Sequence, residues 1–576
     1  MSTMTSNPTH TETPARWSVF DSLLVWVVSA VGAMAALALA FAPKFMFPAE
    51  DAVILFQYSR NLAETGAITF IPGGVHAEGA TDFLWMVFLA LGMKLGIDAF
   101  WLIALVNVVS IALLGVLLVK IAGCKVTPLP LLFVAGTMAI MPQIAAAALG
   151  FSVLPFAVLL VLMTWYFLQQ NDVAVPISAI ILCLFRPDGI VFAVPLMLAA
   201  LILYPNRGRR LLLQTALFIV PGFLYFLWRW HYFGQMLPLT FLVKADNPRV
   251  ARALGLFIYS SLHEGKLLSF FAIAILWFVL RGRLRDKRNQ AVLLCLVVLP
   301  NLFYMAMRLD QNVGHRFYIY LPVGIAVLVA MNWQSLRAER APLLRAGLLC
   351  WLIFPMAVWI DDTTQVWPHM FDNRTELAKE LSQFKGTMII SEAGVLPYYS
   401  RWTAYDAWGL NTDRFAHHLF QPSDVDSVHP DLLLVLPSPV KGENNMACTP
   451  RADWQTPYQG RTWPALTRNV ITGASTDKYE SWIMPYGNSA YRAHYHLATY
   501  LGRHECWFVR KDSPLRNSVE QVLARHEGVT REQFRATNPP PITSWPPPTP
   551  LKPILQRGPL GIPKAIAGRV WHFLYD

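Results

Sequence analysis

Charge is what this 576-residue chain has least of. Lys, Arg, Asp and Glu make up 14% of it and hydrophobic residues 55%, whereas a soluble domain carries about 25% charged residues. So little charge excludes an ordinary soluble protein and leaves an integral membrane protein. Basic runs interleaved with aromatics are missing, which excludes nucleic acid as a partner. No His, Asp and Glu stand at the spacing of a zinc site. No G-x-G-x-x-G loop follows a candidate strand, so no nucleotide cradle is expected. No internal repeat is evident, and cysteine is scarce, with six in the chain.

What is present is a series of apolar segments. Residues 1–16 are polar and expected to be disordered in the cytoplasm. Residues 17–41 are too long for a signal peptide's apolar region and read as an uncleaved first span. Others lie near 83–96, 99–121, 128–142, 149–168, 174–185, 189–204, 211–230, 266–281, 290–307, 316–333 and 342–360, each measured against the ~20 residues a helix needs to cross. Three basic clusters fall in alternate loops, as cytoplasmic loops require: Arg207 to Arg210, Arg281 to Arg288, and Arg337 to Arg345. The net charge of +11 is that topological bias. Everything after residue 360 is then outside. Parity requires one segment not to cross, and 83–96, short and interrupted by Lys94, reads as a re-entrant or surface-lying continuation of the outer loop. The expectation is a polytopic α-helical body over 17–360 with about 11 spans, an outer loop at 42–82, an extracytoplasmic α/β domain over 361–513, and a Pro-rich tail over 514–576.

The polar stretch directly after the first span carries the chemistry. Glu50 and Asp51 precede a helical pattern whose apolar face suits a helix lying on a bilayer surface. Gly66 ends it, and Pro72-Gly73-Gly74 turns the chain back toward Glu78. Three further polar stations fall on the same side: Arg186-Pro187-Asp188-Gly189; Arg229 and His231 leading to Thr240 and Lys244; and Asp310 to Phe317, with His315 and Arg316. Charges on broken helices at membrane depth are expected to line a cavity. Arg186 and Arg229 could instead simply reach up to headgroups.

The order Asp51-Ala52, Ile54, Phe56, Tyr58, Asn61-Leu62, Gly66, Phe70, Pro72-Gly73, Glu78-Gly79, Thr81 and Phe83-Leu84-Trp85 resembles the first outer loop of bacterial GT-C glycosyltransferases, in particular the mycobacterial terminal arabinofuranosyltransferase group. Arg186-Pro187-Asp188-Gly189, Thr240 with Lys244, and Ala393-Gly394 with Tyr398, Tyr399, Ser400, Asp406 and Gly409-Leu410-Asn411 resemble later landmarks. Glu50, Ile71 and Asp82 depart from the pattern, and Gly150-Phe151-Ser152-Val153 lacks a Glu that relatives carry.

The resemblance implies an inverting transferase in the bacterial inner membrane. It would move a sugar, such as a pentofuranose, from a polyprenyl-phosphate donor to an envelope glycan or glycolipid. A lipid-phosphate leaving group needs cations, for which Arg186, Arg229, Lys244 and Arg316 are candidates. The acceptor hydroxyl needs a base, for which Asp51 is the candidate, with Glu50 beside it. Tyr58, Asn61, Glu78, Asp188, His231, Asp310 and His315 are candidates for positioning substrate. The resemblance fixes no cofactor; a divalent cation, if used, would sit between Glu50 and Asp51. Competing classes are a lipid-linked glycan flippase or transporter and a non-catalytic scaffold.

In the outer part, 374–384 reads as helix, 386–391 as a buried strand and 431–436 as a second strand. Cys448 and Cys506 are the two cysteines there, in an oxidising compartment, and are expected to form a disulfide.

Overall fold

The computed structural model describes residues 19–45, 49–139, 143–245, 282–306, 313–339, 373–436, 462–475, 477–485 and 504–533, with isolated positions including Leu280 and Cys448. Two bodies are seen. The first is helical: α1 (Val19–Phe45), α2 (Glu50–Thr65), α3 (Phe83–Lys94), α4 (Ala99–Ile121), α5 (Pro128–Ala139), α6 (Gln143–Ala148), α7 (Val153–Leu168), α8 (Ala174–Phe185) and α9 (Ile190–Leu203). Arg207–Phe233 and Tyr320–Met331 follow. Among the described residues, α4 and Arg207–Phe233 are long and apolar enough to cross a membrane. α3, α7 and α8 are shorter apolar helices. The expected segment 266–281, and nearly all of 342–360, lie outside the described residues.

A broad apolar core runs through α4, α7, α8, α9 and Tyr320–Met331, with Phe156, Phe167, Phe192 and Tyr320 buried in it. The helices here are apolar all round, as expected of elements packed in a bundle or facing lipid. Arg207–Phe233 is the contrast, since Leu212, Phe223 and Leu224 stand well exposed along it.

The second body is a six-stranded mixed sheet in the order β2-β1-β3-β5-β4-β6, where β1 is Thr387–Ile390, β2 Thr403–Asp406, β3 Leu432–Val435, β4 Tyr479–Pro485, β5 His504–Arg510 and β6 Val529–Thr530. β1 lies parallel between β2 and β3, with Ile390 opposite both Asp406 and Leu434. β5 runs antiparallel to β3 and β4. Side-chain alternation divides the sheet into two cores. Met388, Ile390, Leu432, Leu434, Trp507 and Val509 face one; Ile389, Leu433, Val435 and Phe508 face the other. In the second core Cys448 and Cys506 are joined as a disulfide, their Cα atoms 5.4 Å apart.

The bodies share a core across α2. Tyr58, Ile68, Phe70 and Met86 of the loop region pack with the first sheet face, and Val395 packs with Ala52, Val53, Phe56 and Trp85. Gln57, Arg60 and Asn61, polar residues of α2, are all buried. Each has a backbone to hold. The Gln57 amide donates to the Phe70 carbonyl at 3.0 Å, and Asn61 Nδ2 donates to Thr69 and Phe70 at 2.8 and 2.9 Å. Arg60 donates to the Tyr398 carbonyl and stacks 4.6 Å from its ring. The lower end of α2 is seated by the Ala49 N–H on the Leu149 carbonyl, 3.1 Å away. Gly150 beside it has φ +109°, and a Cβ there would stand 2.8 Å from Phe56. Only glycine accommodates that close approach at that φ.

Candidate active site

Glu50 and Asp51 both occupy the first turn of α2, where the helix dipole favours negative charge. Successive helix positions are turned by about 100°, so the two carboxylates meet different partners. Glu50 is 3% exposed and fully engaged by the sheet domain. One oxygen pairs with Arg374, and the other accepts N–H donors from Gly394 at 3.0 Å and Val395 at 2.7 Å. A Cβ at Gly394 would collide with the Glu50 carbonyl, so any larger residue at 394 forces the docked α2 to shift. Arg374 also pairs with Glu505, which accepts from the Trp507 indole at 2.9 Å.

Asp51 faces the other way. Its carboxylate accepts from Arg316 Nη2 at 3.0 Å and its side chain is 28% exposed. Arg316 lies 4.0 Å from the Phe151 ring and 5.0 Å from Phe317. Phe317 is also 5.5 Å from the Arg186 guanidinium, so one ring is flanked by both arginines. Arg186 is held by Asp188 through two bonds of 3.0 and 2.6 Å, and Tyr304 donates to the same carboxylate. Asp82 completes the group, accepting from Ser152 Oγ at 2.8 Å. Burial holds the Asp82 carboxyl above the ordinary range, against the pull of Arg186 and Arg316. Asp51, Asp82, Arg186, Asp188 and Arg316 thus form one charged cluster at the lower end of α2. The buried Nη1 of Arg316 has no hydrogen-bond partner among the described residues, which leaves a strong donor available to an anion.

Other candidates are placed elsewhere. Arg229 is committed to Glu78, with contacts of 2.7 and 2.5 Å, and to the Met236 carbonyl at 2.8 Å. Burial raises the Glu78 carboxyl and the Arg229 guanidinium opposes it. Tyr58 accepts from the Gly79 N–H at 3.0 Å, and burial pushes its hydroxyl far above the ordinary value. Asn61 braces the returning loop, as described above. His231 is exposed. Lys244 lies in helix Leu239–Ala245 and His315 in the turn Val313–Tyr318, while their side chains and all of Asp310 fall outside the described residues. No group of three His, Cys, Asp or Glu suited to a metal ion is found among the described residues. With both Glu50 oxygens taken by the sheet domain, Asp51 is the member of the pair that faces the cluster.

Sequence reasoning missed Asp82, Ser152, Tyr304 and Arg374. The first two had a signal. Asp82 is a charged departure inside an otherwise matched stretch, and Ser152 sits where relatives carry a different pattern. Tyr304, within an apolar helix, carried none.

A family model described as "Domain of unknown function (DUF8728)" matches residues 366–509, the sheet domain from its first described helix into β5. A search of curated proteins finds no match. Among solved structures, the crystal structure of ArnT from Cupriavidus metallidurans bound to undecaprenyl phosphate is similar over 73% of this chain and 93% of that chain, at 13% identity and a TM-score of 0.41. At that identity and TM-score the likeness decides nothing about chemistry.

Proposed function

We propose that this chain is a membrane glycosyltransferase that moves a sugar from a polyprenyl-phosphate donor to an envelope glycan or glycolipid on the outer face of the membrane. The observation that carries this reading is the Asp51–Arg316 pair. A partly exposed carboxylate rests on a guanidinium that keeps a buried donor unused, with Arg186 across the shared Phe317 ring. Those are the parts such a transfer needs. A carboxylate takes the acceptor's proton as the C–O bond forms. Cations stabilise the lipid phosphate as it departs with the electron pair of the broken bond. The motif order of the 50–85 loop supports the same class.

Asp51 is the base in this reading, and Arg316 is the first phosphate ligand. Arg186 is the second, oriented by Asp188 and Tyr304. Arg229 and Lys244 were candidates for that role too; Arg229 is better read as the clamp on Glu78. The resemblance to the arabinofuranosyltransferase group makes a pentofuranose the first sugar to test. Turnover by purified protein, given polyprenyl-phosphate sugars and a glycan acceptor, tests this. Product formation with release of polyprenyl phosphate is expected. Movement of the lipid across vesicles without cleavage would establish a carrier instead.

A further inference from the structure

Two of the basic clusters that read as cytoplasmic loops, Arg207 to Arg210 and Arg281 to Arg288, are far apart in the chain, and the fold brings both to one aromatic ring. Tyr204, just past the end of α9, has the Arg210 guanidinium 4.9 Å from its ring centroid and that of Arg288 at 5.9 Å. The ring packs on Phe167 of α7, 5.2 Å away, and lines a small cleft with Asp172, Ala200, Arg210 and Gln214. Tyr204 is 6% exposed, and its buried hydroxyl has no hydrogen-bond partner among the described residues. A buried hydroxyl left unpaired is costly, so it marks a place that a further group completes.

The polar groups around that hydroxyl are committed to one another. Arg210 donates to Asp172 and to the Ala200 carbonyl at 3.3 Å, and the Gln214 amide donates to the Met197 carbonyl at 3.1 Å. Asp172 also lies 3.8 Å from Arg209, and Asp286 accepts from the Arg288 N–H at 2.9 Å. Arg209, Arg210 and Arg288 outnumber those two carboxylates, and the Arg209 and Arg288 side chains are exposed. Ile202, Leu211 and Leu212 stand well exposed on the same stretch. Cations, apolar side chains and an unpaired hydroxyl are what an anionic lipid meets at a membrane surface.

We propose that this cleft binds the phosphate of an anionic phospholipid headgroup on the cytoplasmic face. The cleft has room for about one water-sized group, so a single phosphate oxygen enters and accepts from the Tyr204 hydroxyl. The other oxygens stay outside, toward Arg209 and Arg288, where charge-assisted bonds are the strong ones. Basic pockets between membrane helices on the cytoplasmic side suit such headgroups. No residue of the Asp51 cluster lines the cleft, so the site is separate from the one assigned to sugar transfer and does not depend on that assignment.

The test places the full-length purified protein in phosphatidylcholine nanodiscs with and without phosphatidylglycerol, and reads melting temperature and the lipid retained in native mass spectrometry. Phosphatidylglycerol is expected to raise the wild-type melting temperature and to be retained. Tyr204→Phe deletes only the hydroxyl, and binding should weaken about tenfold or more, as loss of a hydrogen bond to a charged group does. Arg288→Gln, a change to an exposed side chain, should weaken it as well, whereas Arg285→Gln, a control from the same cluster, should bind like wild type. In pure phosphatidylcholine, Tyr204→Phe should melt no lower than wild type, because the hydroxyl it removes satisfies nothing there. A clearly lower melting temperature in that lipid would mean that the hydroxyl is already satisfied, and overturns the site. Equal weakening by Arg285→Gln, or undiminished binding by Tyr204→Phe and Arg288→Gln, would reveal only the general attraction of a basic surface, and overturns it too. Inorganic phosphate that stabilises wild type in pure phosphatidylcholine as much as phosphatidylglycerol does would make this a free-anion site and overturn the lipid assignment.

Discussion

Glu50 and Asp51 are chain neighbours on one helical turn, yet Glu50 is enclosed by Arg374 and two N–H groups of the sheet domain, while Asp51 keeps 28% of its side chain open beside Arg316. The first environment satisfies every oxygen and leaves nothing for a substrate. The second is under-satisfied, holding a donor without a partner and two arginines on one aromatic ring. Saturation marks the joint between the bodies, and incomplete satisfaction marks the place where a ligand can enter. A doubled carboxylate in sequence therefore becomes one structural anchor and one chemical group.

The comparison can be broken first at its anchor. Glu50→Ala removes one carboxylate from the buried Arg374, and loss of one member of a buried ion pair costs about 3–5 kcal/mol. Denaturant unfolding should show that loss, with protease sensitivity appearing in the sheet domain. A Glu50→Ala protein as stable as wild type would mean that the anchor is elsewhere.

A buried carboxylate inside the sheet domain has a pH signature. Asp406 accepts from the Trp408 and Asn411 N–H groups and from Asn411 Nδ2, at 2.9, 3.0 and 2.9 Å. Burial nonetheless pushes its carboxyl up to about 6 from an ordinary 3.8. With the folded value above the unfolded one, the native state holds the proton longer, so stability is fully present below about pH 4 and declines as pH rises through 6. The span of about two units corresponds to roughly 3 kcal/mol. Unfolding measured from pH 4 to 7, wild type against Asp406→Asn, should show the decline in wild type and a flatter curve in the variant. Equal slopes would remove Asp406 from the account.

Gly394→Ala probes the joint more gently. The added methyl meets the Glu50 carbonyl, and overpacking of this kind costs about 1–3 kcal/mol. Melting should report it, with little change in KM for the donor if the sheet domain still docks. On the open side, Arg316→Ala removes the cation under Asp51. The kcat/KM for the lipid donor is expected to fall about tenfold to a hundredfold, in line with roughly 1.5–3 kcal/mol for a hydrogen bond to a charged group. A loss confined to acceptor KM would move the phosphate site away from Arg316.

Much of this layout was legible in the chain. Apolar runs foretold α4, α7, α8 and α9, Gly66 ended α2, and the strands at 387–390 and 432–435 lie inside the stretches read as strands. The Asp51-to-Trp85 order drew attention to the loop that joins the two bodies. The division of labour between Glu50 and Asp51 was not legible. It depends on the direction each side chain takes from α2 and on Arg374, more than 300 positions away. The same holds for Arg229, whose place on the outer face suggested phosphate but whose guanidinium is closed by Glu78 across 151 positions. Sequence spacing reports which chemistries are available. Partners brought in by tertiary packing decide which remain free.

The central claim is that Asp51 reacts while Glu50 holds, and Asp51→Asn tests it most directly. The substitution keeps size and much of the hydrogen bonding but cannot accept a proton. Loss of a positioned base typically lowers the rate by roughly 10²–10⁴. Turnover of a polyprenyl-phosphate sugar by purified protein should fall by that factor, with a melting temperature close to wild type. A folded Asp51→Asn protein with undiminished turnover would contradict the account.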